Sequence, residues 1–118
     1  MTYILPFGQA HGEQAWRTGP KAARLSELST TGFCVPAGFA TSTDALGHYL
    51  VSNGLSEYVS AAPKRFDGQS FEALGDGPAR LRENLFGGIL PDDLVAELRQ
   101  ALNGLNHAPV ALRSSSTL

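Results

Sequence analysis

Cysteine is nearly absent from this sequence. Cys34 stands alone among 118 residues, which excludes an intrachain disulfide framework and any cysteine-rich zinc site. The expected setting is a reducing one, the cytoplasm. Charge is sparse too: charged residues reach 17% where a soluble domain typically carries ~25%, and 9 Lys+Arg against 11 Asp+Glu leave a net charge of -2. Lys64-Arg65 is the one adjacent basic pair, so the sequence offers no basic footprint for duplex nucleic acid or an anionic membrane, and neither is an expected partner. Long apolar runs are missing. The opening MTYILPFGQAH lacks a cationic start, and its apolar stretch stops at Pro6, short of a signal peptide and of the ~20 apolar residues of a spanning helix. HExxH, GxSxG, a Walker phosphate loop and GxGxxG are absent, as are internal repeats and low-complexity segments. Chemistry must therefore rest on single positions and their order.

What is present is enough apolar material for a core. Hydrophobic residues make up 42%, and a weakly acidic chain of this length buries roughly two thirds of its unfolded surface when it folds as one domain. Gly19-Pro20 followed by Lys21, Ala22, Leu25 and Leu28 predicts a helix of about three turns with proline in its first turn and Gly32 as its stop. A short strand is expected near Gly38 to Ser42. Ser42, Thr43 and Asp44 can each accept from a helix's first free N–H groups, and Ala45, Leu46, Tyr49 and Leu50 share a face before Asn53-Gly54, which predicts a second helix. Leu55, Tyr58 and Val59 predict a brief helix and residues 62–68 a loop. Phe71, Leu74, Leu81 and Leu85 repeat at helical spacing, but Gly75-Asp76-Gly77-Pro78 divides them into two pieces, because proline inside a helix costs ~3 kcal/mol. Pro91, Asp92 and Asp93 open a further helix that lines up Leu94, Leu98, Ala101, Leu102 and Leu105; the two carboxylates there read as helix-start residues. Residues 109–115 alternate as a strand. An unpaired strand at that place would offer Val110 and Leu112 to a second copy, so self-association is expected unless the helix over 91–105 and the strand near Gly38 cover them.

Three stretches follow one another along the chain: Gly19-Pro20-Lys21-Ala22-Ala23-Arg24-Leu25-Ser26-Glu27-Leu28, then Gly32-Phe33-Cys34-Val35-Pro36-Ala37-Gly38-Phe39-Ala40-Thr41-Ser42-Thr43, then Val110-Ala111-Leu112-Arg113-Ser114-Ser115-Ser116-Thr117. In this order they resemble the start of the ATP-binding domain of the phosphoenolpyruvate synthase and pyruvate phosphate dikinase family, whose relatives include the rifampicin phosphotransferases and glucan water dikinases. That family shows GGKxANLxEL, then GFPVPPGFxxTT, then VAVRSSATxEDL. The resemblance spans essentially the whole chain. Pro20 replaces the second glycine of the first motif, Arg24 its asparagine, Cys34 the first proline-rich position and Ala37 a later proline.

The resemblance implies an α+β, ATP-grasp-like N-terminal subdomain of several short helices packed on a small sheet, with residues 1–118 forming the first, incomplete portion of a nucleotide-binding domain. It implies ATP as ligand, Mg2+ held by acidic residues outside this chain, and the remaining domains of a dikinase, or a partner chain, as partners. In the family the phosphoryl group passes from ATP to a carrier histidine on a separate domain and then to a small acceptor such as pyruvate or an antibiotic hydroxyl. His11, His48 and His107 match no such position, so no catalytic residue and no metal ligand is expected here. Lys21 matches the family's phosphate-contacting lysine, a compact ammonium at a helix start that suits a polyanion. Arg113 matches the arginine after the VAV strand, where a planar guanidinium can fork two phosphate oxygens. Ser114, Ser115 and Thr117 are small hydroxyls able to donate beside it. Gly32, Pro36 and Gly38 read as turn-setting residues, Phe33 and Phe39 as core, and Trp16 with Arg17 as a weak candidate for a cleft wall. Two other readings stay open: a non-catalytic module that kept the fold, motivated by Pro20 and Arg24, and a helical protein-interaction domain, motivated by the Leu94 to Leu105 face.

Overall fold

The computed structural model describes residues 2–116. In chain order they form strand β1 (Ile4–Pro6), a 3-10 turn (Gly12–Gln14), helices α1 (Ala15–Thr18) and α2 (Pro20–Thr30), strand β2 (Phe39–Thr41), and helices α3 (Thr43–Ser52), α4 (Ser56–Phe66), α5 (Phe71–Leu74), α6 (Gly77–Phe86) and α7 (Asp92–Asn103). The class is α+β, rich in helix with one small sheet. Two compact units share these elements: one takes in the chain up to Leu46 and from Asp92 onward, the other is Gly47–Pro91. No helix among the described residues is long and apolar enough to cross a membrane.

The sheet of the first unit is an antiparallel pair in which Ile4 faces Thr41, Leu5 faces Ala40 and Pro6 faces Phe39. Proline is tolerated there because it ends the strand. The ladder is continued by Phe7 N donating to Gly38 O at 2.9 Å and Ser42 N donating to Tyr3 O at 2.8 Å. Gly38 is needed at this corner because a Cβ there would sit 2.7 Å from the Phe7 ring. Against the sheet lies α7, whose Leu94 is buried with Tyr3 and Ala45 while Leu98 packs alongside. The Glu97 carboxylate accepts the Tyr3 amide at 3.0 Å.

Tyr3 carries a pH dependence. Burial first, then the carboxylates of Asp93, Glu97 and Asp44, push its hydroxyl above the ordinary tyrosine value of 10.0. The folded state thus holds the phenol proton where the unfolded chain has lost it, so the unfolded state binds fewer protons and stability falls as pH rises past about 10. Urea unfolding at pH 9 to 11 checks this: Tyr3→Phe is expected to flatten the alkaline loss, and an equal slope in both proteins would refute the assignment.

Several elements depart from the sequence reading. Helix α2 begins and stops where predicted, with Pro20 in its first turn and Gly32 at φ 91 beyond its end. Its buried residues, however, are Ala22 and Ser26, while Leu25 and Leu28 remain 40% and 39% exposed. Small side chains lie inward because the loop before α1 runs close against the helix. Helix α4 continues to Phe66 through Pro63, where a loop is predicted. Pro63 stands in the last turn, so only the bond to one carbonyl is lost, and Lys64 and Arg65 suit the helix's negative end. Arg65 also stacks over the Tyr58 ring at 4.2 Å. The division near Pro78 is as predicted, with Gly75 at φ 55 between α5 and α6. Residues 109–115 form no strand among the described residues. A strand exists through pairing, and the two-stranded sheet supplies no partner for this segment. Val110 and Leu112 are 57% and 98% exposed, so neither α7 nor β2 covers them, and Phe33, expected in the core, is 65% exposed.

Candidate functional site

Helix α2 starts with an unusual donor count. Gly19 caps it at φ 85, its carbonyl accepting from Ala23 N at 3.0 Å. Proline at the first helical position brings no N–H, so only the amides of Lys21 and Ala22 fall outside the helical ladder. The Ala22 amide donates to Ser115 Oγ at 3.4 Å, joining residues 93 apart in sequence. Gly19 permits that approach. A Cβ on Gly19 would lie 2.6 Å from Ser115 Oγ and 2.6 Å from the Ser116 carbonyl oxygen, on a backbone conformation that already disfavours side chains. The first and third motifs therefore meet at the beginning of α2.

Lys21 is exposed in that first turn, and Arg113 and Ser114 are exposed while Ser115 is half-buried. Among the described residues no carboxylate pairs with Lys21 or Arg113. Both cations thus stay available to an anion, at the end of a helix whose dipole favours one. Thr117 lies outside the described residues.

Arg17 behaves differently from these two. Its Nη2 reaches Asp44 Oδ2 at 2.9 Å and the Thr2 carbonyl at 2.7 Å, and its Nη1 reaches Gln14 Oε1 at 3.0 Å. A guanidinium so fully engaged ties α1 to the start of α3, and Trp16 beside it is 66% exposed, so the pair frames no cleft. The Asp44 Oδ2 atom thereby serves Arg17. Ala45 N donates to the Ser42 carbonyl at 3.0 Å, and the buried Ser42 Oγ has no partner among the described residues.

Two features escaped the sequence reading. The fully buried Ser26 Oγ accepts from Gly8 N and Ala10 N, each at 2.9 Å, and lies 2.8 Å from His11 Nδ1. With both lone pairs engaged the hydroxyl donates to Nδ1, which leaves the imidazole proton on Nε2. His11 is thus part of a loop anchor. The second feature is a cavity of about 460 Å³ in the Gly47–Pro91 unit, lined by Tyr58, Arg65, Phe66, Gly77, Arg80, Glu83 and Asn84. No motif residue lines it. Among the described residues no three His, Cys, Asp or Glu side chains gather as a metal site.

Comparison with known proteins accounts for the motif order. Residues 16–118 match the family described as "Pyruvate phosphate dikinase, AMP/ATP-binding domain". The chain is 34% identical to a phosphoenolpyruvate synthase of Neisseria meningitidis, with 98% of the chain and 16% of that protein covered. It is 35% identical to one from Pseudomonas aeruginosa, over 98% of the chain and 16% of the relative. The chain therefore spans about a sixth of the length of these curated relatives. No solved structure matches it. Three motifs in series, two of them brought together at the head of α2, and a match over nearly the whole sequence place the chain in the pyruvate phosphate dikinase AMP/ATP-binding domain family.

Proposed function

We propose that residues 1–118 are the opening portion of an ATP-grasp-like nucleotide-binding domain of a dikinase, and that Lys21 and Arg113 grip the phosphates of ATP with hydroxyls from Ser114, Ser115 and Thr117. The observation that carries this reading is the approach of Ser115 and Ser116 to Gly19 and Ala22. It sets a lysine and an arginine, both without a carboxylate partner among the described residues, on segments that touch. Lys21 contributes a point charge and Arg113 a planar fork matched to phosphate oxygens.

The core supports the incomplete-domain reading. Among the described residues eight apolar side chains are buried, four of them alanine, while twelve large ones remain exposed. In the whole protein the chemistry is ATP-dependent phosphorylation of a carrier histidine and transfer to a small acceptor, with Mg2+ held by carboxylates outside residues 1–118. The relatives' name favours a reaction that ends at phosphoenolpyruvate. The compartment is the cytoplasm, where the exposed Cys34 stays reduced.

Two charge-assisted contacts offer ~1.5 to 3 kcal/mol each against an association cost of at least ~4 kcal/mol. ATP is therefore expected to bind this chain more weakly than ~1 mM, without turnover. Calorimetric titration tests it: a micromolar dissociation constant would show that the grip is complete within this segment. A non-catalytic module is the second reading, favoured by Pro20, which removes one N–H from the turn that would face the anion. It predicts no ATP-dependent change at Lys21 or Arg113 even at saturating nucleotide. In a protein of the relatives' full length carrying this segment, Arg113→Lys is expected to lose histidine phosphorylation nearly as fully as Arg113→Ala. Normal phosphorylation by the lysine variant would rule out the forked contact.

A further inference from the structure

We propose that Ser115 is a positioning residue, a latch that fastens the Arg113 to Ser116 segment onto the first turn of α2 so that Arg113 and Lys21 address one polyanion. The purpose of the latch rests on the nucleotide reading above, whereas its geometry stands without it. Ala22 N donates to Ser115 Oγ at 3.4 Å, and Gly19 is the residue whose missing side chain makes room for Ser115 and Ser116.

Three features give the contact its weight. The segment has no strand ladder to hold it among the described residues, since the sheet ends with β1 and β2. Proline at position 20 leaves Ala22 as one of two free amides in the turn, so Ser115 takes a donor that is scarce. Ser115 is half-buried while Arg113 and Ser114 are exposed, which divides the motif into an anchor and a presented face. Chain geometry carries the anchor to the cations. Arg113 lies two residues from Ser115, within about 7 Å along the backbone, and Lys21 adjoins Ala22 at ~3.8 Å between Cα atoms. Because Ser115 Oγ accepts from the helix, its own proton remains to be donated outward, and the positive end of α2 is extended by one hydroxyl.

Amide hydrogen exchange on the 118-residue chain, followed residue by residue in nuclear magnetic resonance spectra, tests the latch without nucleotide. Ser115→Ala is expected to speed exchange of the Ala22 amide roughly three- to tenfold, the effect of one lost hydrogen bond. The Ala23 amide, which donates to the Gly19 carbonyl, serves as the unchanged reference. Ser115→Thr, which keeps the hydroxyl, should restore the slow rate. Titration of the same proteins with ATP to about 20 mM then reads the purpose: shifts at the Lys21 and Arg113 amides should need several-fold more ATP in Ser115→Ala and recover in Ser115→Thr. Unaltered Ala22 exchange in Ser115→Ala would overturn the latch. Faster exchange with an unchanged ATP response would overturn its positioning role. Absence of any ATP response in the unmutated chain would overturn the nucleotide reading, and it is distinguishable because the exchange measurement contains no ATP.

Discussion

Ser26→Ala is expected to destabilise the first unit by about 2 to 4 kcal/mol. Ser26 is fully buried on α2, and its Oγ accepts the amides of Gly8 and Ala10, each at 2.9 Å. Removing the oxygen leaves the Ala10 N–H, on a residue that is 0% exposed, without an acceptor or access to water. An unsatisfied buried amide costs about 1 to 3 kcal/mol, and the half-buried Gly8 amide and the lost His11 bond add to it. The loop before α1 also carries Thr18's contact, its Oγ1 donating to the Ala10 carbonyl at 3.2 Å, so the damage extends to the α1–α2 corner. Thermal unfolding should fall by roughly 10 °C for a domain of this size. Ser29→Ala is the control. The Ser29 hydroxyl donates only to the Ser26 carbonyl within the same helix, and its removal should shift the midpoint by less than ~2 °C. Equal midpoints for Ser26→Ala and the unmutated chain would refute the anchor.

That anchor shows where the sequence misled. Periodicity placed α2 correctly and included the buried Ala22 among its spaced positions, but Leu25 and Leu28 of the same set are exposed while the polar Ser26 is buried. The helix is approached by backbone from the 8–11 loop, and only a small hydroxyl side chain can accept its amides. Nothing in a pattern of apolar residues encodes that. The same limit hid β1: Ile4-Leu5-Pro6 is too short to carry an alternation, and its identity as a strand comes from pairing with Phe39–Thr41. Helix α7 was legible because caps, dipole and spacing agree over three turns. Pro63 was misread because the general cost of proline is largest in a helix interior, and here it stands in the last turn of a helix fastened by Arg65 and Tyr58.

The candidate site was legible in order rather than in spacing. Lys21 alone is an ordinary exposed lysine, and Arg113 alone an exposed arginine. The third motif was expected to form a strand, and that expectation failed among the described residues. Its approach to Gly19 nevertheless occurs, because the contact depends on a missing Cβ and one free amide rather than on a ladder. Gly19 is the residue that could have revealed this from the sequence: a glycine directly before Pro-Lys marks a close backbone approach as readily as a turn. Ser42 was misassigned for the converse reason. Its place suits a helix cap, but the backbone carbonyl meets the Ala45 amide first.

The chain is expected to self-associate, and the segment after Pro109 is where a second copy should bind. Val110 is 57% exposed and Leu112 98%, and no element among the described residues covers them. The backbone around them forms no ladder, so a second copy meets both apolar side chains and free backbone groups. Two copies pairing antiparallel through this segment would each contribute Val110 and Leu112. Burying such side chains fully gives roughly 1.5 to 3 kcal/mol each, against an association cost of at least ~4 kcal/mol. The balance is a weak dimer, visible in light scattering as a weight-average mass that rises over a hundredfold range ending near ~1 mM. Leu112→Lys should hold the mass at the monomer value, because a charge on the pairing face opposes its own copy across the two-fold axis. Trp16→Lys, which removes an exposed aromatic elsewhere in the same unit, should leave the association unchanged. A constant monomer mass for the unmutated chain at every concentration would refute the pairing, and equal suppression by Trp16→Lys would move the contact away from residues 110–112.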